Sequence, residues 1–432
     1  MRQPAEARAH AASIRIKAIA LESGISQLRH DDASDLSRRT PQRPAIRWRE
    51  FTMTARVCYY LGTFEDWGGA SRALLNFVVR IDRRKFEPLV VVTQSGKLVN
   101  TLAAKGIESA IRPKHDWDGN PFRYALNVAR SAAFLLRRRV DLVHMNIGSL
   151  GWKPPEVLAA RLLRIPVVMH FHMVDPEPTP FIKYAKQIVA VSQYVARHSG
   201  FGTRHVAAIH NISDLERFTR GRSIRDELGL ACGDLVVGFL GHVKRLKGIE
   251  LFLRLTEELD RPDVKFLIAG EIMETDPAFS ARFREITTCN PRVRYLGYRT
   301  DPENIYATAD VLIMPTQCEE ACAMVLFETA AAKKPIIASR TGGTPEIIQD
   351  GMNGLLFDRE DFDTLKRHTC WLLDHPEERL RLGNKAFEIV RNRFTDQPVR
   401  ELERIYMEAL NGNGSPAEGD EELTRLSGAD FK

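Results

Sequence analysis

Short apolar runs recur along the chain, each followed by a stretch in which apolar and polar positions alternate with helical period. In the first half the runs fall at 57–61 (VCYYL), 88–93, 141–145 (DLVHM), 166–169 (PVVM) and 187–191. In the second half they fall at 235–241 (LVVGFLG), 264–269, 293–297, 311–314 and 335–338. Runs apolar on both faces are the mark of parallel strands covered by helices. Helical periodicity follows at 73–79, 122–139, beyond Ser192, from about Ile249, at 376–390 and at 396–410. Ser192 is the expected cap of its helix. Strand alternating with helix predicts an α/β protein.

The pattern also starts twice. Strand 57–61 leads through Gly62 to Gly68 and Gly69 and then a helix, and strand 235–241 leads to Lys247, Gly248 and a helix. Two βα repeats are therefore expected, over 54–212 and 213–390, facing each other across a cleft. In such folds ligands sit beyond the carboxyl ends of the strands. The terminal helix, 391–410, is expected to pack back on the first domain. A length of 432 residues agrees with two cores rather than one.

The ends differ from this body. Residues 1–52 hold ten Lys/Arg and six Asp/Glu, without the apolar region of a secretory signal. They read as a disordered arm, an organellar presequence or a stretch upstream of a natural start at Met53, the last being the simplest. Residues 411–432 are polar, acidic and expected to be disordered.

Composition narrows the partners. A formal charge of +6 admits an anionic substrate or a membrane surface without demanding nucleic acid, because the basic residues are dispersed and no aromatic platform accompanies them. The six cysteines show no paired metal spacing and suit a reduced, cytoplasmic setting. No apolar run approaches the length of a membrane span. The run Arg137, Arg138 and Arg139 closes a helix. It reads either as simple complement to the helix dipole or as a membrane-surface patch.

The candidate chemistry gathers at 315–346, PTQCEEACAMVLFETAAAKKPIIASRTGGTPE. A turn carries Glu319 and Glu320, a helical stretch carries Glu328, and a strand leads to Gly342, Gly343 and Glu346. If Glu320 stands at the helix mouth, Glu328 lies about 12 Å further along the axis at ~1.5 Å per residue. That is too far for two groups acting on one bond and suits one extended ligand touched twice; Glu320 as a cap and Glu328 as a surface residue is the plainer alternative. The loop after 235–241 carries His242, Lys244, Arg245 and Lys247 at a helix mouth, where a diphosphate would find N–H donors and positive charge. A solvated turn is its plainer alternative. His170 and His172 share one strand face; one histidine pointing into a cleft is favoured over a metal pair, because no third ligand is placed near them.

In order, these residues resemble the retaining glycosyltransferases of family 4, enzymes of the GT-B fold with two Rossmann-like domains. The resemblance covers about 54–405. It rests on Glu320 and Glu328 at the family's separation, on Gly342, Gly343 and Glu346, and on Gly351, Asn353 and Gly354. It implies transfer of a sugar, with retained configuration, from a nucleotide diphospho-sugar, UDP or GDP being expected, to a glycan or lipid-linked acceptor of cell-envelope polysaccharide synthesis. It implies no metal and no other cofactor. It places the enzyme in the cytoplasm, with the inner face of the membrane as a further partner. The catalytic group it implies is Glu320 beside the donor sugar, Lys247 at the diphosphate leaving group and His172 reaching the sugar from the first domain. Glu328 would hold the ribose, and Arg245, His242, Gly241, Gly69, Gly68, Ala323 and Gly343 would line the rest of the donor site. Trp67, Arg72 and His170 are the expected acceptor contacts.

The chain departs from the family in places. His242 stands where arginine is usual, Ala321 and Ala323 replace glycines at the sugar site, and Ser71 replaces a common acid. Cys322, beside the site, predicts thiol sensitivity. The rival readings are a sugar-binding or assembly protein of the same fold whose site has decayed, and a nucleotide-sugar epimerase.

Overall fold

The computed structural model describes residues 54–62 and 68–412. The readings of 1–52, of Trp67 and of the tail beyond Gly412 lie outside these residues.

The first half of the chain runs β1 (Ala55–Leu61), α1 (Gly69–Val78), β2 (Phe86–Val92), α2 (Lys97–Ala104), β3 (Glu108–Ile111), α3 (Pro121–Arg137), β4 (Leu142–Ile147), α4 (Pro155–Leu163), β5 (Val167–Phe171), β6 (Gln187–Ala190), α5 (Gln193–His198), β7 (Val206–Ala208) and α6 (Leu215–Thr219). The second runs β8 (Leu235–Leu240), α7 (Ile249–Glu258), β9 (Val264–Ala269), α8 (Pro277–Cys289), β10 (Val293–Tyr295), α9 (Pro302–Thr308), β11 (Val311–Met314), α10 (Met324–Ala331), β12 (Ile336–Ser339), α11 (Thr344–Ile347), β13 (Leu355–Phe357), α12 (Phe362–Asp374), α13 (Pro376–Arg393) and α14 (Asp396–Asn411).

The strands form two wholly parallel sheets, ordered β3-β2-β1-β4-β5-β6-β7 and β10-β9-β8-β11-β12-β13. Their central strands are buried on both faces, which is why they read as unbroken apolar runs. Each sheet reverses direction of winding once, between β1 and β4 and between β8 and β11. The loops leaving those strands splay apart there and open a crevice. The two crevices bound the cleft between the domains.

The helix α14 lies on the first sheet. Val399, Leu402, Ile405 and Tyr406 pack with Val57, Tyr59 and Val90 in one buried cluster. The Tyr406 hydroxyl meets Nδ1 of His144 at 2.8 Å, and Glu403 accepts the Asp82 N–H at 2.7 Å. No helix among the described residues is long and apolar enough to cross a membrane.

Candidate active site

The two loops on the second sheet are built by glycines. Gly248 has φ +73°, and a Cβ there would lie 1.6 Å from the carbonyl oxygen of Pro315, so the Lys247 turn packs directly on the start of the acidic loop. Gly342 has φ +52°, and a Cβ would lie 2.1 Å from the carbonyl oxygen of Glu320. Only glycine fits either place. The Glu320 carbonyl accepts the Gly343 N–H at 2.7 Å, and the Glu319 carboxylate accepts the Gly342 N–H at 2.8 Å. The acidic loop is thereby fixed against the turn after β12.

The second domain brings Lys247 and Glu320 together: the Lys247 ammonium is ion-paired with the Glu320 carboxylate. Glu320 stands four residues before α10, in the loop rather than at the helix mouth. Ala323 is the residue that caps α10. Glu328, inside α10, is 2% exposed. The Tyr306 hydroxyl donates to its Oε2 at 2.8 Å, and Arg72, from α1 of the first domain, pairs with its Oε1. Arg72, expected on the acceptor side, thus meets the carboxylate expected to hold ribose. Burial lowers the Arg72 guanidinium from its ordinary value. The two acidic residues are held by different cations, one of them reaching across the cleft.

On the first domain, Gly68 caps α1 and its carbonyl accepts the Arg72 N–H at 3.0 Å. Among the described residues, a Cβ on Gly69 would meet nothing within 4 Å. His172 follows β5. Its Nε2 donates to Asn146 Oδ1 at 2.6 Å, an arrangement supported by the Asn146 amide donating to the Ala70 carbonyl at 3.4 Å. Burial pushes the His172 imidazole down to about 3, so it is neutral at ordinary pH.

Other expected residues are placed differently. His170 is 2% exposed, with its ring 4.4 Å from His172 and edge-on to Phe77 and His144. It lies in the core behind His172 and presents nothing to an acceptor. Arg245 turns away to Glu250 at 3.1 Å and Asp276 at 2.9 Å. Gly241 closes β8 with its N–H on the Ala269 carbonyl at 3.0 Å, and His242 beside it is half-buried. Gly343 caps α11 against Ser192 of the first domain. Cys322 corrects the thiol-sensitivity expectation: it is buried in the core, and burial pushes its thiol far above the ordinary range, away from the reactive thiolate.

Three side chains that make these contacts carry no sequence signal of their own: Tyr306, Asn146 and His210. The Glu346 carboxylate accepts the Gln193 and Tyr194 N–H groups at 2.8 and 2.7 Å and bonds His210 Nε2 at 2.8 Å. It caps α5 of the first domain from the second. Burial pushes this carboxyl up, but the His210 and N–H hydrogen bonds outweigh it and hold it below its usual value. Among the described residues no group of three or more His, Cys, Asp or Glu is arranged to hold a metal.

Two doubly wound, parallel-sheet domains forming a cleft are the architecture of the GT-B glycosyltransferases. Residues 67–217 match the family model described as Glycosyltransferase Family 4, and residues 234–375 the one described as Glycosyl transferases group 1. The D-inositol 3-phosphate glycosyltransferase of Mycobacterium sp. (strain KMS) is 26% identical over 374 residues, covering 76% of this chain and 82% of that protein. A glycosyltransferase from Rickettsia africae superposes with a TM-score of 0.73 at 20% identity, covering 83% of this chain and all of its own. Anabaena Alr3699/HepE in complex with UDP-glucose superposes at 0.69 and 19% identity, covering 82% and 99%. These two likenesses concern the fold. The chain is a GT-B glycosyltransferase related to the group 1 and family 4 enzymes.

Proposed function

We propose that the chain transfers a sugar, with retained anomeric configuration and without a divalent metal, from a nucleotide diphospho-sugar to a glycan or glycolipid acceptor of cell-envelope polysaccharide synthesis, at the cytoplasmic face of the membrane. The observation that carries this reading is the convergence of Lys247–Glu320 and Arg72–Glu328 on one crevice. A carboxylate accepts two hydrogen bonds from a ribose diol, and Glu328 would exchange Arg72 for that diol. Lys247 would exchange Glu320 for the diphosphate, leaving Glu320 to the donor sugar's hydroxyls.

When the bond from the anomeric carbon to the diphosphate oxygen breaks, negative charge develops on the diphosphate. Lys247, the backbone N–H of Gly69 and the positive end of α1 would face that charge, and stabilising it would be the main catalytic contribution. Retention follows if the acceptor hydroxyl enters the face the diphosphate leaves, its proton passing to the departing oxygen. His172, neutral and oriented by Asn146, serves as a hydrogen-bonding partner of the sugar and not as a cation. UDP is favoured over GDP because the HepE structures hold UDP and UDP-glucose.

A second reading, a sugar-binding protein with a decayed site, is favoured by Arg245 being engaged with Glu250 and Asp276 while His242 takes the arginine position. One experiment separates them. The full chain is incubated in EDTA with UDP-, GDP- and ADP-sugars, and slow hydrolysis is followed by proton NMR. Turnover of one donor, releasing the sugar first as the donor's own anomer, is expected. Inverted product contradicts retention, and donor binding without any turnover supports the decayed site.

A further inference from the structure

The helix α3 carries apolar residues on two sides. Val128, Ala132, Phe134 and Leu135 pack on the core, where Tyr124, Asn127 and Ser131 are also buried. Two of the polar groups are satisfied internally: the Tyr124 hydroxyl donates to the Lys153 carbonyl at 2.9 Å and the Ser131 hydroxyl to Glu156 at 3.2 Å. Its solvent side carries Phe122, Leu126, Ala129, Ala133 and Leu136, and the three large ones are 77%, 49% and 61% exposed. Spacings of four and three put these five on one stripe. Arg123, Arg130 and Arg137 follow seven apart along its flank, and the helix contains no acid. Asp118 pairs with Arg123, whereas Arg130 and Arg137 have no ion pair among the described residues. The end of α4, packed beside α3, adds exposed Arg161 and Leu162. The run Arg137, Arg138 and Arg139 is not itself a patch, because Arg138 turns inward to Glu108.

We propose that this outward stripe of α3 docks the enzyme on an anionic membrane surface. Apolar side chains would enter the headgroup boundary while the arginines, extending from the same face, meet lipid phosphates. Charge selects this occupant over a second copy of the chain: helices paired about a two-fold axis would set arginine rows side by side with no acid on either helix. The position suits the chemistry. The helix begins directly after the loop that carries Trp117 beyond β3, on the side of the sheet where the cleft opens. A lipid-borne acceptor would therefore be presented at the rim of the site. That last step rests on the proposed function; the docking itself does not.

The test is flotation of the full chain with phosphatidylcholine vesicles, with and without phosphatidylglycerol. We expect flotation with the anionic vesicles only, reversed by high salt. In Arg130→Glu/Arg137→Glu and in Phe122→Ser/Leu126→Ser the bound fraction falls more than about tenfold. Each variant is accepted only if its melting temperature matches the parent. Binding that both variants retain, equal binding to neutral vesicles, or no binding overturns the proposal. So does a stable dimer that these substitutions dissociate. The response to UDP is recorded on the same samples, so failure of the donor reading shows as an absent nucleotide response whatever the vesicles do.

Discussion

In the proposed mechanism Lys247 and Glu328 contribute to different steps, and their substitutions are expected to separate accordingly. Lys247→Ala removes charge from the leaving group and is expected to lower donor hydrolysis by about 100- to 1000-fold, the range for loss of one preorganised donor. Lys247→Arg keeps the charge and retains part of the rate. Glu328→Ala should act mainly on nucleotide affinity, because a ribose contact made in both ground and transition states is uniform binding. Steady-state hydrolysis of the accepted donor reads both: a fall in kcat for Lys247→Ala, a rise in KM for Glu328→Ala. A reversed pattern contradicts the assignment. The nearness of Lys247 to the acidic loop is legible in the sequence, since acid, glycine and lysine stand in the order of the family the chain resembles. Tyr306 and Asn146 are not. A tyrosine in a seven-residue helix and an asparagine near the end of a buried strand look like packing until the fold sets them against Glu328 and His172. Cys322 misleads for the complementary reason: nearness in sequence to Glu320 says nothing of its burial.

Among the elements, the glycine turn after β12 is where backbone shape and chemistry are most tightly joined. Gly342→Ala places a methyl group against the Glu320 carbonyl at a left-handed φ, a strain of about 1–3 kcal/mol that the acidic loop can relieve only by moving. Donor hydrolysis is expected to fall by tenfold or more while far-UV circular dichroism stays unchanged. The cap on α5 is supplied from the other domain, so Glu346→Ala should lower stability to urea by about 0.5–2 kcal/mol, the ordinary worth of a helix cap. An unchanged midpoint would show that the contact between the domains there is slack. Central strands are readable end to end, as with β9 and β11, because burial on both faces leaves mostly apolar residues. The strands β3, β7 and β13 escape such a reading. The first two are edge strands only half-buried, and the third is three residues long. The helices α2, α4 and α12 escape it too, and the outward apolar stripe of α3 misdirects any reading that assumes apolar means inside.

At the scale of the molecule, buried titratable groups set the pH range of the fold. His144 and His172 are pushed down to about 3, and His170 well below its ordinary value, all chiefly by burial. Between there and the ordinary value of 6.5 the unfolded chain binds protons that the native state refuses. Their stabilisation is therefore complete above pH 6.5 and is lost as pH falls, each group removing about 1.4 kcal/mol per pH unit. Glu156 has the opposite sign. Burial raises it from 4.5 to about 7, so the native state keeps a proton that the unfolded chain releases, and stability is lost as pH rises from 4.5 to 7. Glu156→Gln should then gain up to about 3 kcal/mol on the parent at pH 8 relative to pH 4, read by urea unfolding at the two values. An identical difference at both would place Glu156 ionised in the native protein.

Above all, the cleft between the two domains is proposed as a nucleotide-sugar site, bridged by Arg72–Glu328 and lined on the second domain by Lys247–Glu320. Calorimetric titration of the full chain with UDP and with GDP, in EDTA, puts that reading to the proof. We expect saturable binding of one nucleotide, weakened at least tenfold in both Glu328→Ala and Lys247→Ala with the fold intact. Binding that both variants keep, or no binding of either nucleotide to well-folded protein, would refute it.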